Sequence, residues 1–278
     1  MAIIQAIILG IIEGLTEFLP ISSTGHLIVA EHLVGYKDMA ELFTVVVQVG
    51  AIAAVLWYYR QDIMKRIGSL LKMENGSLRF WVNLVIATIP AGLIGVAFDK
   101  TIQRYSVPRT VGLTLILGGI ILWLVESYHK EKADRPRQAG HQPQANLDAI
   151  TPKQALGVGV AQVTALVPGV SRSGATIVGG LLSGLDRVTA TAFSFYLSIP
   201  VMILASGYKI FKQRSDIASL PGGSVGLIIG TIAAFATALM AVSWLLHYIS
   251  SHNFKKFAYY RIGFGIFIFM LLAVGALG

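Results

Sequence analysis

The chain has no cysteine, which excludes disulfides, thiolate nucleophiles and thiolate metal sites but leaves its compartment open. Charge is scarce as well. Asp, Glu, Lys and Arg make up 13% of the 278 residues, against 55% hydrophobic residues and a mean hydropathy of +0.69. A soluble globular domain normally carries about 25% charged residues, so this composition belongs to an integral membrane protein. The N-terminus has no positive segment, and Glu13 and Glu17 interrupt the first apolar stretch, so it does not read as a cleaved signal peptide. The net charge of +8 is what loop lysines and arginines that set membrane topology produce, and nucleic acid is not an expected partner.

Apolar runs able to cross a hydrocarbon core of about 30 Å cover residues 42–59, 80–98, 111–125, 190–210, 225–249 and 257–277. Two further apolar regions, 2–34 and 154–185, are broken by Pro20 and by Pro168-Gly169; they read as re-entrant or broken helices rather than plain spans. Trp57, Tyr58, Tyr59, Trp81, Trp123, Trp244, Tyr259 and Tyr260 fall near span ends and read as headgroup-level anchors. The loops 60–79 and 129–153 are the most basic, which places both in the cytoplasm. Residues 127–153 lack apolar periodicity and hold three prolines, so they read as a solvated connection. His129 and His141 within it are not site candidates.

The broken regions resemble each other at a fixed offset of 149 residues: GIIEGLTEFLPISSTGHLIVAEHLVG over 10–35 and GVAQVTALVPGVSRSGATIVGGLLSG over 159–184. Gly10 meets Gly159, Glu13 meets Gln162, Ser22 meets Ser171 and Gly25 meets Gly174. With both basic loops cytoplasmic, the first copy enters from outside and the second from the cytoplasm, as an inverted repeat requires. The expected fold is therefore all-α: one polytopic membrane domain over 1–278, with about six full spans and two re-entrant or broken hairpins. Its inverted-topology repeats occupy about 1–127 and 154–278 and are joined by the polar loop 128–153.

The chemistry-bearing residues divide between the copies. Glu13 and Glu17 stand four apart, on one face of a helix, and buried carboxylates in a membrane require partners or water. SSTGH after Pro20 sets Ser22, Ser23, Thr24 and His26 around a flexible Gly25, a turn suited to presenting hydroxyl and N–H groups to an anion. In PGVSRSGAT, Ser171, Arg172, Ser173, Gly174 and Thr176 fall at the start of a helix, whose dipole and free N–H groups favour phosphate. Arg172 adds a planar fork that matches phosphate oxygens. Gly10xxxGly14, Gly180xxxGly184 and Gly226xxxGly230 read as close-packing signals. Gln48, Asn83 and Ser198 read as helix–helix hydrogen-bonding groups, with a place in the cavity lining as the alternative, and Asp186 and Arg187 as a helix cap.

The pair ExxxE with PISSTGH, followed some 150 residues later by PGVSRSGAT, resembles the two signature motifs of the bacterial undecaprenyl pyrophosphate phosphatase family linked to bacitracin resistance. The resemblance spans essentially the whole chain, with no departure at a motif position. It implies a membrane enzyme that removes one phosphate from an isoprenyl pyrophosphate lipid, regenerating the carrier used in cell-wall synthesis. It also implies residence in the bacterial cytoplasmic membrane with the site opening outwards, functional positions at Glu13, Glu17, Ser23, His26, Ser171, Arg172, Ser173 and Thr176, and membrane lipids as surroundings. A homodimer is an admissible assembly.

A pyrophosphate brings about three negative charges and the glutamates two more, against Arg172 and His26. A bound Mg2+ or Ca2+ held by Glu13 and Glu17 would restore the balance. Ser23 is the expected nucleophile, assisted by His26 or Glu17; His26 itself and an activated water are the other options. Two competing readings exist. Lipid phosphatases of the acid-phosphatase superfamily also use Ser-Gly-His and Ser-Arg elements, but no histidine follows Ser171-Arg172 in the next helix. A transporter or flippase of a phosphorylated isoprenoid would use the same inverted repeats.

Overall fold

A computed structural model describes residues 2–36, 42–129, 145–214 and 220–277. Most of the polar connection, including His141, lies outside the described residues. Eleven α-helices are described: α1 (Ala2–Glu17), α2 (Ser23–Val34), α3 (Leu42–Tyr58), α4 (Arg60–Leu71), α5 (Asn75–Arg104), α6 (Pro108–Tyr128), α7 (Pro152–Val163), α8 (Arg172–Leu182), α9 (Arg187–Lys212), α10 (Gly223–Ile249) and α11 (Lys255–Ala273).

Their ends follow local chemistry. Pro108 and Pro152 stand in the first turns of α6 and α7, where a missing N–H costs nothing. Thr151 and Gln154 form a reciprocal capping box at the start of α7. Asp186 caps α9 by accepting from the Thr189 N–H at 2.9 Å. Arg187 is not part of that cap. Its guanidinium pairs with the buried Glu126 of α6 at 2.7 and 3.0 Å, and Glu126 also accepts from the Phe254 N–H at 3.1 Å. This fastens the end of α6 to the starts of α9 and α11.

Among the described residues, five helices are long and apolar enough to cross a membrane by themselves: α5, α6, α9, α10 and α11. The sixth expected span, α3, has 17 residues and meets that length only together with α4, from which it bends by 70°. No residue of α4 is buried, so it lies across the end of α3 instead of continuing it.

The duplication organises the packing. α1 runs alongside α10 in the same direction, with Ala2 near Gly222 and Gly14 against Ala234 and Ala238. Likewise α7 runs alongside α5: Asn83 donates to the Ile150 carbonyl at 2.6 Å, Gly159 sits on Ala87, and Leu166 reaches Gly95. α3 runs with α10, and α5 starts where α3 ends, since Tyr59 and Phe80 both pack on Tyr196. The hairpins α1–α2 and α7–α8 therefore enter from opposite sides, each against a long helix of the other half. Repeat-related glycines permit both approaches. A Cβ on Gly10 would collide with the Gly230 carbonyl, and one on Gly159 would lie 2.7 Å from the Ala87 carbonyl oxygen. Gly14 and Gly230 are likewise packed tightly, whereas Gly184 faces open space at φ +83° and forms a turn.

Candidate active site

Both hairpins break in the same way. Ser22 and Ser171, the residues just before α2 and α8, share φ 70° with ψ 101° and 115°, a region that side-chain-bearing residues rarely occupy and that stores strain. The residue after each serine opens the returning helix. In the first copy that residue is Ser23; in the second it is Arg172. The same structural position thus supplies a hydroxyl from one half and a guanidinium from the other.

Those two side chains meet on Glu17. Ser23 Oγ donates to Glu17 Oε2 at 2.6 Å, and Arg172 Nη2 donates to Oε1 at 3.2 Å. The ion pair is nearly dry, with side-chain exposures of 12% for Arg172 and 7% for Glu17. Arg172 Nη1 donates to the Ser194 carbonyl at 3.2 Å, while its Nε has no partner. Behind it, Thr176 Oγ1 and Ser194 Oγ are 2.6 Å apart. A relay of donors stitches the second break to the first: the Gly174 N–H to Ser171 Oγ at 3.2 Å, Ser171 Oγ to Ser173 Oγ at 3.0 Å, and Ser173 Oγ to the Leu19 carbonyl at 2.8 Å.

Glu13, one turn before Glu17, is 1% exposed, and neither of its carboxylate oxygens has a hydrogen-bond partner. Gln48 of α3 lies close enough to act on it, so Gln48 borders the site and is more than a helix–helix contact. Ser198, by contrast, bonds to the Phe195 carbonyl of its own helix at 2.6 Å.

His26 is engaged by groups other than Ser23. Its Nδ1 lies 2.7 Å from the Ser22 carbonyl, which can only accept, so Nδ1 carries a proton. In the neutral ring, Nε2 then accepts from the Tyr260 hydroxyl at 2.7 Å. The ring stacks on Phe264 at 4.3 Å between centroids. Tyr260 is therefore a partner of a site residue as well as a span-end aromatic. Ser22 contributes its carbonyl and its backbone conformation, with no side-chain cap bond. Thr24 is half-buried in the first turn of α2, outside this network.

Sequence reasoning overlooked Arg261 of α11. It is 1% exposed, and it donates to the Pro20 carbonyl of the first break at 3.3 Å and to the Gly169 and Val170 carbonyls of the second at 3.4 and 2.8 Å. A further bond reaches the Thr114 carbonyl at 3.4 Å. Among the described residues no carboxylate lies within ion-pair distance of it. Glycines make room for the guanidinium: a Cβ on Gly174 would lie 2.7 Å from Nη1, and one on Gly118 would strike Nη2. A signal was present, since an arginine inside an apolar run is a functional candidate by default.

Two antiparallel hairpins thus bring a carboxylate-bound hydroxyl, a second bare carboxylate, two guanidinium groups and two helix N-termini into one place, an arrangement suited to attack on a phosphoryl group. The family model described as bacitracin resistance protein BacA matches residues 6–267. The chain belongs to this family. The BacA match takes in both turns, all of the second hairpin, the first hairpin from Ala6 onward, and Arg261. The chain is also 46% identical over 272 residues to undecaprenyl-diphosphatase 1 of Burkholderia cenocepacia (strain HI2424), covering 97% of this chain and 95% of that protein. It is 46% identical over 271 residues to the undecaprenyl-diphosphatase of Nitrosomonas europaea, with 96% and 94% covered. The undecaprenyl-diphosphatase of Burkholderia mallei (strain SAVP1) is similar to the same degree, 46% over 272 residues.

Proposed function

We infer that this BacA-family chain is an undecaprenyl-diphosphatase: a membrane hydrolase that cleaves the phosphoanhydride of undecaprenyl diphosphate to give undecaprenyl phosphate and inorganic phosphate. The observation that carries the mechanism is the Ser23–Glu17–Arg172 contact, 2.6 Å on one carboxylate oxygen and 3.2 Å on the other. Ser23 Oγ attacks the terminal phosphorus while Glu17 takes its proton; the bridging oxygen departs with the lipid phosphate, and water then releases the phosphate from Ser23. Glu17 is better placed as base than His26, whose two ring nitrogens are occupied by Ser22 and Tyr260. Arg172 and the start of α8 hold charge on the transferring group. Binding diphosphate would draw Arg172 away from Glu17, freeing the carboxylate as it delivers the cation.

The bare carboxylate of Glu13 suits a divalent cation of the Mg2+ or Ca2+ type. Glu13 and Glu17 are the residues of this chain that would hold such an ion, which hard oxygen ligands favour. Bound there, it would supply positive charge that neutralises the diphosphate. The reading also places the chain in the bacterial cytoplasmic membrane, with α4 and the start of α5 in the cytoplasm and the first hairpin entering from outside.

The test is phosphate release from farnesyl and undecaprenyl diphosphates by purified protein in detergent. Ser23→Ala is expected to reduce kcat by roughly 10²–10⁴-fold, with a phosphorylated wild-type peptide mapping to Ser23; near-normal turnover would reject the serine route. Chelation of divalent cations is expected to abolish most turnover, restored by adding Mg2+ or Ca2+. Release without any gradient separates the enzyme from a pure lipid carrier.

A further inference from the structure

The catalytic groups account for the diphosphate but leave the isoprenoid chain without a seat. Two adjoining hollows, of about 460 and 320 Å³, lie between the first break and the facing sides of α10 and α11. Leu19, Ile21 and Trp244 line both, so they form one groove. Its floor is the turn itself, since Leu19 and Ile21 flank the Pro20 whose carbonyl Arg261 holds. At one end stands Tyr260, which lines the groove and also hydrogen-bonds His26. From there the walls run along Trp244 and Met240 of α10, which are 51% and 65% exposed on the outer surface of the bundle. The groove is thus mostly apolar, with Tyr248 and Lys256 also lining the hollow that contains Tyr260, open sideways to acyl chains, and continuous with the catalytic turn.

We propose that this groove binds the proximal isoprene units of the substrate, the rest of the chain lying among the membrane lipids. Bulk acyl chains would fill any apolar hollow at this surface. The shared Tyr260 and the turn residues argue for the substrate's own chain, because a diphosphate beside Glu17 and Arg172 has this apolar exit within a few residues. An oxygen-free branched chain suits walls made mainly of Leu, Ile, Met and aromatic side chains, and its burial would add affinity that scales with the number of isoprene units in contact. The proposal rests on the diphosphatase reading for its choice of ligand, and it adds chain-length discrimination to it.

The test compares geranyl and undecaprenyl diphosphates on wild type, Met240→Trp and Trp244→Ala, with Leu93→Trp, on the exposed face of α5, as control. Narrowing or emptying the groove is expected to raise KM for the long substrate by about tenfold, equivalent to about 1.4 kcal/mol, while kcat and the KM for the geranyl compound stay within about twofold. A KM that moves equally for both substrates, or for neither, overturns the proposal and leaves bulk lipid as the occupant. An independent arm uses an isoprenyl diphosphate with a photoreactive group on its third isoprene unit, beyond the length of the geranyl compound. Crosslinking is expected on peptides containing Leu15, Met240 or Trp244, displaced by undecaprenyl diphosphate and not by phosphatidylglycerol. Absence of that crosslink sinks the groove whether or not the protein hydrolyses diphosphates, whereas absent hydrolysis with intact crosslinking sinks only the enzymatic reading.

Discussion

Two arginines divide the electrostatic work of the site. Arg172 shares Glu17 with Ser23 and keeps its Nε unpartnered, so it has donors to offer a substrate. Arg261 is spent on backbone carbonyls of both turns. Their substitutions should therefore differ in kind. Arg172→Lys keeps charge but loses the fork, and is expected to lower kcat by roughly 10²–10³-fold with a normal thermal midpoint in detergent. Arg261→Met is expected to lose about 2 kcal/mol or more of stability, because buried carbonyls lose a charged donor, and its thermal midpoint should fall before any kinetic effect is separable. Glu17, Ser23 and Arg172 were legible in the sequence because each stands in a dense polar motif. Arg261 and Glu126 were not, since each is a single charge in an apolar helix whose partners are carbonyls or a residue 61 positions away. The cation count made from sequence alone was short by Arg261 for that reason.

At the scale of the element, the broken hairpin is the unit, and its defining strain sits on Ser22 and Ser171 at φ 70°. A β-branched residue tolerates that conformation poorly, whereas glycine adopts it freely. Ser22→Val is expected to cost about 1–3 kcal/mol, and Ser22→Gly to fold at least as well as wild type; thermal unfolding of both in detergent checks the difference. That the two regions break was readable from Pro20 and Pro168-Gly169. Pro20 stands two residues before the Ser22 turn, and the return starts at Ser23. The sequence could not say that both serines take one backbone conformation, because serine has no preference for it and only the packing of α2 and α8 enforces it. The run 42–59 matched α3 to within a residue, but the bend into α4 was not foreseen. Arg60, Gln61 and Asp62 mark where the apolar run stops, but not that the chain goes on as a helix turned by 70°.

In the whole molecule, each hairpin packs on the other half's long helix, α1 on α10 and α7 on α5. The site is completed across the same divide, with Glu17 and Ser23 from one half and Arg172 from the other. Fragments 1–129 and 145–278, produced together, are expected to copurify and release phosphate, while neither does so alone; pull-down and phosphate assay of the single and paired fragments check this. The duplication at an offset of 149 residues announced two related halves, and the basic loops suggested opposite entry. The exchange of hairpins between halves was not readable, because the glycine contacts that license it are small residues common throughout the chain.

That exchange bears on how such a fold could arise. A polypeptide with one repeat would leave its hairpin's small-residue face bare to lipid, with no long helix to receive it. It could bury that face only against a sister inserted upside down, so an ancestor of half this length would have needed dual orientation in the bilayer and obligate pairing. Within one fused chain the two copies need not stay alike: one holds the acid and hydroxyl, the other the cation.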